Sequence, residues 1–153
     1  MDPGKPWAHI MLMAVEPGKL EPAIRQFRDS GGKGLNITVP HKSAALPFAD
    51  QLSERATNAG AINTLAFQDG EIFGDNTDGV GLMRDLTRNL KLGIRDANIL
   101  VLGAGGATLG IVGPLLARRP EEFVIATGVA LLSVFVGTCN AFLFVRREFP
   151  AKN

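Results

Sequence analysis

The sequence predicts an α/β fold with a largely parallel sheet, and three observations carry that prediction. Short apolar runs alternate with amphipathic stretches from residue 9 to residue 126. Turn residues, mostly Gly, Pro and Asp, stand between successive runs. A β-rich run, Ile99-Leu100-Val101-Leu102, passes directly into Gly103-Ala104-Gly105-Gly106-Ala107 and then into an apolar helical stretch, which is a strand, glycine turn, helix unit.

Taken in order, the apolar run at 9–15 predicts a buried strand, ended by Glu16-Pro17-Gly18. Leu20, Ile24 and Phe27 share one face of a helix, Pro22 suits its first turn, and Gly31-Gly32 closes it. A second strand is expected at 34–39, a helical stretch after Pro40, and a third strand at 61–67. Asp69-Gly70 then turns the chain into a short strand at 71–74. Residues 75–90 read as a loop entering a helix, with Val80, Met83, Leu86 and Leu90 on one face, Arg84, Asp85 and Arg88 on the other, and Gly93 as the stop. The glycine-turn unit follows, and 123–126 reads as its second strand.

Composition removes several functions. The 153 residues carry 16 Lys plus Arg against 15 Asp plus Glu, a formal net charge of +1, with the basic residues scattered, so nucleic acid is not an expected partner. One cysteine, Cys139, makes no internal disulfide, and with only His9 and His41 beside it no zinc-site spacing exists. The nine Phe sit among aliphatic residues and read as core. The first residues lack a secretory pattern, which predicts a cytoplasmic protein. Residues 123–145 carry no charge, and two expectations stand for them: a membrane-spanning helix, which takes about 20 apolar residues, or a buried strand followed by a core helix.

Ligands of open α/β sheets bind beyond the carboxyl ends of the strands. Asn36, Thr38 and Lys42 lie there after the 34–39 strand. Asn63 brings an amide that both donates and accepts, suited to a hydroxyl-bearing ligand. Asp78 lies in the polar turn Gly74-Asp75-Asn76-Thr77-Asp78-Gly79. If these loops meet, Lys42 and Asp78 flank one ligand hydroxyl and share acid and base duty. Taken singly, Lys42 reads as a solvated charge, Asp78 as a helix cap and Asn63 as a turn residue. His41 is a possible proton carrier but receives no role. The amides of the glycine turn can meet a pyrophosphate at a helix N-terminus.

Four stretches together resemble the shikimate dehydrogenase family. They are Asn-x-Thr-x-Pro-His-Lys at 36–42, Gly-Ala-x-Asn-Thr at 60–64, Asn-Thr-Asp-Gly at 76–79 and Val-Leu-Gly-Ala-Gly-Gly-Ala at 101–107, and the resemblance covers 15–126. It implies a two-domain enzyme of aromatic amino-acid biosynthesis that reduces 3-dehydroshikimate to shikimate with NADPH. Lys42 and Asp78 become its catalytic pair, Thr38 and Asn63 hold substrate hydroxyls, and Gly103, Ala104, Gly105, Gly106 and Ala107 form the NADP diphosphate loop.

The implied organisation is a partial substrate-binding domain at 1–92, an incomplete Rossmann-like NADP-binding unit at 93–126, and an atypical apolar tail at 127–153. Four family features have no counterpart: the serine loop that binds the substrate carboxylate, the Asn-Arg-Thr segment that meets the NADP phosphate, where Thr127-Gly128-Val129 stands instead, the remaining strands of the cofactor domain, and a substrate-contacting glutamine near the family's end. A chain truncated at both ends, or rearranged, is the expectation. One βαβ unit cannot cover both faces of its own sheet, so a partner, a second copy, a membrane or the tail is expected to do so. The competing function is a catalytically silent fragment tethered to a membrane or partner through 123–145.

Overall fold

The structure is a computed structural model that describes residues 10–126 and, as backbone, 142–146. Helix α1 (Leu20–Asp29) forms where the apolar spacing demands it, burying Leu20 and Ile24, and the chain leaves it through Gly31 at φ +90°. Phe27, on the same face, meets Phe67 with ring centroids 6.4 Å apart. Strand β1 (Gly34–Asn36) follows, then a 3-10 turn (Leu46–Phe48), β2 (Gln51–Leu52), α2 (Glu54–Ala59), β3 (Thr64–Gln68) and β4 (Glu71–Asp75).

The first sheet has the order β1-β3-β4-β2. It is more mixed than the alternation of runs implies: β1 and β4 both pair with β3 antiparallel, and only β2 runs parallel to β4. For β3 and β4 the reason is the two-residue turn at Asp69 (φ +51°) and Gly70 (φ +86°), whose positive φ angles suit a hairpin and leave no room for a crossover. Helix α2 lies later than the helical stretch expected after Pro40, where only turns and the 3-10 segment form. Ser53 decides its start, its Oγ accepting from the Ala56 amide at 3.1 Å, and Gly60 at φ +59° ends it.

Two further expectations fail here. Residues 10–15 form no strand: Ile10 and Leu12 are 97% and 98% exposed, and none of the four strands of the first sheet pairs with them. An apolar run becomes a strand only where a neighbour offers it a ladder, and this run finds none. Strand β1 also stops at Asn36, short of 39; the Ile37 amide still reaches the Asn63 carbonyl at 2.7 Å, but Pro40 has no N–H to carry pairing on.

Helix α3 (Asp78–Arg84) continues through a π-helical turn (Asp85–Asn89) and ends at Leu90, where Lys91 takes φ +54°, ahead of the expected stop at Gly93. Met83 and Leu86 are buried as the spacing requires, whereas Val80 and Leu90 stay 47% and 57% exposed. Strand β5 (Asn98–Leu102), α4 (Gly106–Leu116) and β6 (Glu122–Ala126) form the βαβ unit, with β5 and β6 parallel. Strand β7 (Phe142–Arg146) pairs antiparallel on the other edge of β5.

The uncharged run 123–145 is therefore not one spanning helix: its beginning lies in β6 and its end in β7, both hydrogen-bonded to β5. No helix among the described residues is long and apolar enough to cross a membrane. Thr127, Gly128, Val129 and Cys139 lie outside the described residues, as does His9.

Two cores result. One gathers Leu20, Ile24, Ile37, Ala45, Ile62, Leu65 and Ile72; the other gathers Met83, Leu86, Ile94, Ile99, Val101, Ile111 and Leu115. Helix α3 belongs to the second, and at Gly79 it comes close to Gly110 and Pro114 of α4. A Cβ on Gly79 would lie 2.4 Å from Pro114 Cγ and 2.5 Å from the Gly110 carbonyl oxygen. Pro114 has no N–H to give that carbonyl, so the Gly110 oxygen is free to face Gly79.

At the junction of β4 and α2, Arg55 donates to both Asp75 oxygens, at 3.1 and 2.5 Å, Ser53 Oγ donates at 2.5 Å and the Asn76 amide at 2.7 Å. The Arg55 hydrogen bonds hold the Asp75 carboxyl below the usual carboxylate range, against its own desolvation, and Ser53 and Asn76 add to the effect. A carboxyl so depressed stabilises the fold above its unfolded pKa of about 4 and loses that contribution as pH falls through the folded value. Asp75→Asn should lower stability by about 2 kcal/mol at pH 7, with the difference in urea midpoint closing as pH drops below about 4.

Candidate active site

Three loops meet at the edge between the two cores. The loop after β1 is fastened to the approach of β3, because the Ile62 amide donates to the Lys42 carbonyl at 2.8 Å. This directs the Lys42 side chain toward the first turn of α3, where its Nζ lies 2.5 Å from Asp78 Oδ2. Their side chains are 12% and 23% exposed, so the pair is partly withdrawn from solvent while remaining reachable.

Asn63 completes the cluster. Its Nδ2 donates to Asp78 Oδ1 at 2.8 Å and to Thr77 Oγ1 at 3.0 Å, while its Oδ1 accepts from the Thr77 amide at 3.0 Å and from Thr64 Oγ1 at 2.8 Å. The Thr77 backbone N–H is an obligate donor and fixes which end of the Asn63 amide faces it. The amide group must then face Asp78. One carboxylate oxygen is thereby held by Asn63 and the other aimed at Lys42.

The remaining expected residues fall nearby. Thr38 is exposed, and its carbonyl accepts from the His41 amide at 2.8 Å. Asn36 Nδ2 donates to the Asn63 carbonyl at 3.1 Å. His41 turns away from the pair, its Nε2 lying 2.7 Å from the Val15 carbonyl, which fixes Nε2 as the protonated nitrogen. It fastens the approach to α1 rather than carrying protons at Lys42.

The glycine turn stands opposite. Gly103 takes φ +108°, a backbone that a side chain would strain, and Thr108 Oγ1 donates to its carbonyl at 2.9 Å. Gly105 precedes α4 and no side chain caps the helix, so its first amides remain open to an anion. A Cβ on Gly106 would lie 3.3 Å from Lys42 Cβ, and a cavity of about 180 Å³ lined by Val39, Pro40, Lys42, Ser43 and Gly106 joins the turn to the catalytic lysine candidate. The described residues hold no group of three His, Cys, Asp or Glu fit for a metal.

Sequence reasoning passed over Asn76, which is 1% exposed and bonded at both ends of its amide. The signal was present: an Asn two residues before a helix start commonly bonds back to the backbone in an Asx turn.

A mixed sheet that carries a lysine–carboxylate pair facing a strand–glycine turn–helix unit has the layout of a substrate domain joined to a dinucleotide-binding one. Residues 6–65 match the family model described as shikimate dehydrogenase substrate binding domain. The chain is 56% identical over 113 residues to a shikimate dehydrogenase (NADP(+)) of Methylococcus capsulatus, covering 73% of this chain and 40% of that protein. It is 47% identical over 145 residues to the Alkalilimnicola ehrlichii enzyme of the same name, covering 90% and 54%. Among solved structures it resembles an Ael1 enzyme from Pseudomonas putida (TM-score 0.67, 42% identity, 82% of this chain and 48% of that one). It also resembles the Thermus thermophilus shikimate 5-dehydrogenase in complex with NADP(H) and shikimate (TM-score 0.67, 28% identity, 80% and 46%). Residues 6–65 thus match the substrate-binding domain of the shikimate dehydrogenase family, and the chain spans roughly half the length, or less, of these relatives.

Replacing Asn63 tests the cluster. Asn63→Asp puts a second carboxylate where an amide now donates to Asp78 at 2.8 Å, which raises the pKa of one member of the pair. A raised carboxyl costs stability as pH rises through it, so the variant's thermal midpoint should fall further below wild type at pH 7 than at pH 4.

Proposed function

We propose that this chain is the substrate-binding part, with the adjoining βαβ unit, of an NADP-dependent shikimate dehydrogenase that reduces 3-dehydroshikimate to shikimate. The observation that carries the reading is the 2.5 Å approach of Lys42 Nζ to Asp78 Oδ2, on a lysine that lines one cavity with Gly106 of the glycine turn. The functional units are 1–92 for substrate and 93–126 for cofactor, although the second core already begins with Met83 on α3. The reading keeps a small-molecule substrate as partner and the expected cytoplasmic location.

The reduced cofactor, NADPH, would supply the hydride to the ketone carbon when bound and leave as NADP. The residues present suit its diphosphate: Gly103 supplies the left-handed bend, Gly106 the bare surface beside Lys42, and the uncapped start of α4 the free amides. Gly103, Ala104, Gly105, Gly106 and Ala107 would hold it. As hydride reaches carbon, negative charge collects on the ketone oxygen, and Lys42 stabilises that charge and donates a proton to it. One of the three Lys42 donors is directed at Asp78 Oδ2, leaving two for the substrate. In the reverse direction Lys42 accepts the proton from the hydroxyl. Asp78 orients the ammonium throughout.

Thr38, exposed two residues after β1, offers its hydroxyl to the ring hydroxyls. Asn63 does so only by sharing or exchanging bonds, since both of its amide protons are already directed at Thr77 Oγ1 and Asp78 Oδ1.

The test is NADPH oxidation by the purified chain with 3-dehydroshikimate, beside Lys42→Ala and Asp78→Ala. Loss of a positioned acid–base group costs about 10²- to 10⁴-fold, so both variants should lose at least 10²-fold in kcat. Turnover equal to wild type in either variant removes that residue from the catalytic pair, and absence of turnover in wild type removes the proposed activity from this chain.

A further inference from the structure

We infer that Asn76 is a positioning residue for the Lys42–Asp78 pair, and that it transmits the placement of α4, the helix led by the glycine turn, to Asp78. The side chain is 1% exposed. Its Nδ2 donates to the Ala61 carbonyl at 3.0 Å and its Oδ1 accepts from the Asp78 amide at 3.1 Å. A carbonyl accepts only and an amide N–H donates only, so this orientation is the one that satisfies both. The amide therefore ties the chain entering β3 to the backbone of Asp78 itself.

The other side of Asn76 faces α4. A Cβ on Gly110 would lie 2.6 Å from Asn76 Oδ1 and 3.0 Å from Nδ2, so the slot exists only because residue 110 is glycine. Asn63 directs the Asp78 carboxylate, whereas Asn76 fixes the backbone from which it extends. A shift of α4 that closes this slot presses on Asn76, whose Oδ1 holds the Asp78 amide. In this way the helix that carries the proposed diphosphate loop and the aspartate that orients the proton donor share one buried amide. The inference rests on the proposed catalytic pair for its functional meaning, but its structural content is separate.

The experiment uses the full chain with ¹⁵N-labelled lysine. The Lys42 ammonium signal is assigned by its loss in Lys42→Arg, and its shift in Asp78→Asn gives the position of an unpaired Lys42. Asn76→Ala should move the signal to that unpaired position while the far-ultraviolet circular dichroism stays that of wild type. Gly110→Ala, which keeps Asn76 but displaces it, should move the signal the same way; Gly113→Ala, on the same helix with nothing within 4 Å of the added carbon, should not. If Asn76→Ala fails to fold, the glycine pair alone decides.

In NADPH oxidation with 3-dehydroshikimate, Asn76→Ala should lower kcat by about 10²-fold with KM within about twofold, the pattern of a misplaced rather than missing group. A Lys42 signal unmoved in folded Asn76→Ala, or equally moved by Gly110→Ala and Gly113→Ala, overturns the inference. A wild-type chain without turnover overturns the proposed function instead and leaves the spectroscopic result to judge Asn76.

Discussion

The contact on which the site depends joins residues far apart in the chain. Lys42 leaves the first sheet on a turn, Asp78 opens the first helix of the second core, and their charged ends meet at 2.5 Å. Neither side chain could hold that geometry alone, since a lysine has four rotatable bonds to order. The fold supplies the order in backbone terms: Ile62 N–H on the Lys42 carbonyl, Thr77 N–H on the Asn63 amide, Asp78 N–H on the Asn76 amide. Each of these is a donor with no alternative role, which is what converts loops into a fixed frame.

Burial matters as much as distance. An exposed lysine–aspartate pair is worth little and rearranges freely, whereas this one is partly shielded and has its carboxylate engaged on the far side by Asn63. The nearby Arg55–Asp75 pair shows the contrast. It has more hydrogen bonds on its carboxylate, but Ser53, Arg55 and the Asn76 amide consume the acceptor sites, and what remains is a brace between α2 and β4.

Local pattern was enough to read α1, the turn between β3 and β4 and the β5–α4–β6 unit from the sequence, because helical spacing, a two-residue turn with Gly, and a glycine turn between apolar runs are each decided within about a dozen residues. Two of the failures share one cause. Whether 10–15 becomes a strand and what the ends of 123–145 do depend on which edges other segments offer, and pattern carries no such information. The site divided in the same way. Lys42, Asn63 and Asp78 stood out by residue type and place, and the resemblance paired them, but the saturation of Asn63 by Thr77, Thr64 and Asp78 was invisible until the loops were brought together. Asn76 was read as part of a polar turn, where it does hold the Asp78 amide, but its bond to the Ala61 carbonyl and its place against Gly110 of α4 come from the fold.

The crossing of α3 and α4 has a consequence for how the two cores hold together. Most helix contacts interlock ridges of side chains, and they adapt to change by switching rotamers. Where Gly79 meets α4 there is no rotamer to switch, only main chain against the Gly110 carbonyl and the rigid ring of Pro114, while Met83 and Leu86 share a core with Ile111 and Leu115 farther along. At that one point the separation of the helices is set by groups that cannot repack, so accommodation between α3 and α4 falls to the flexible side chains beyond it.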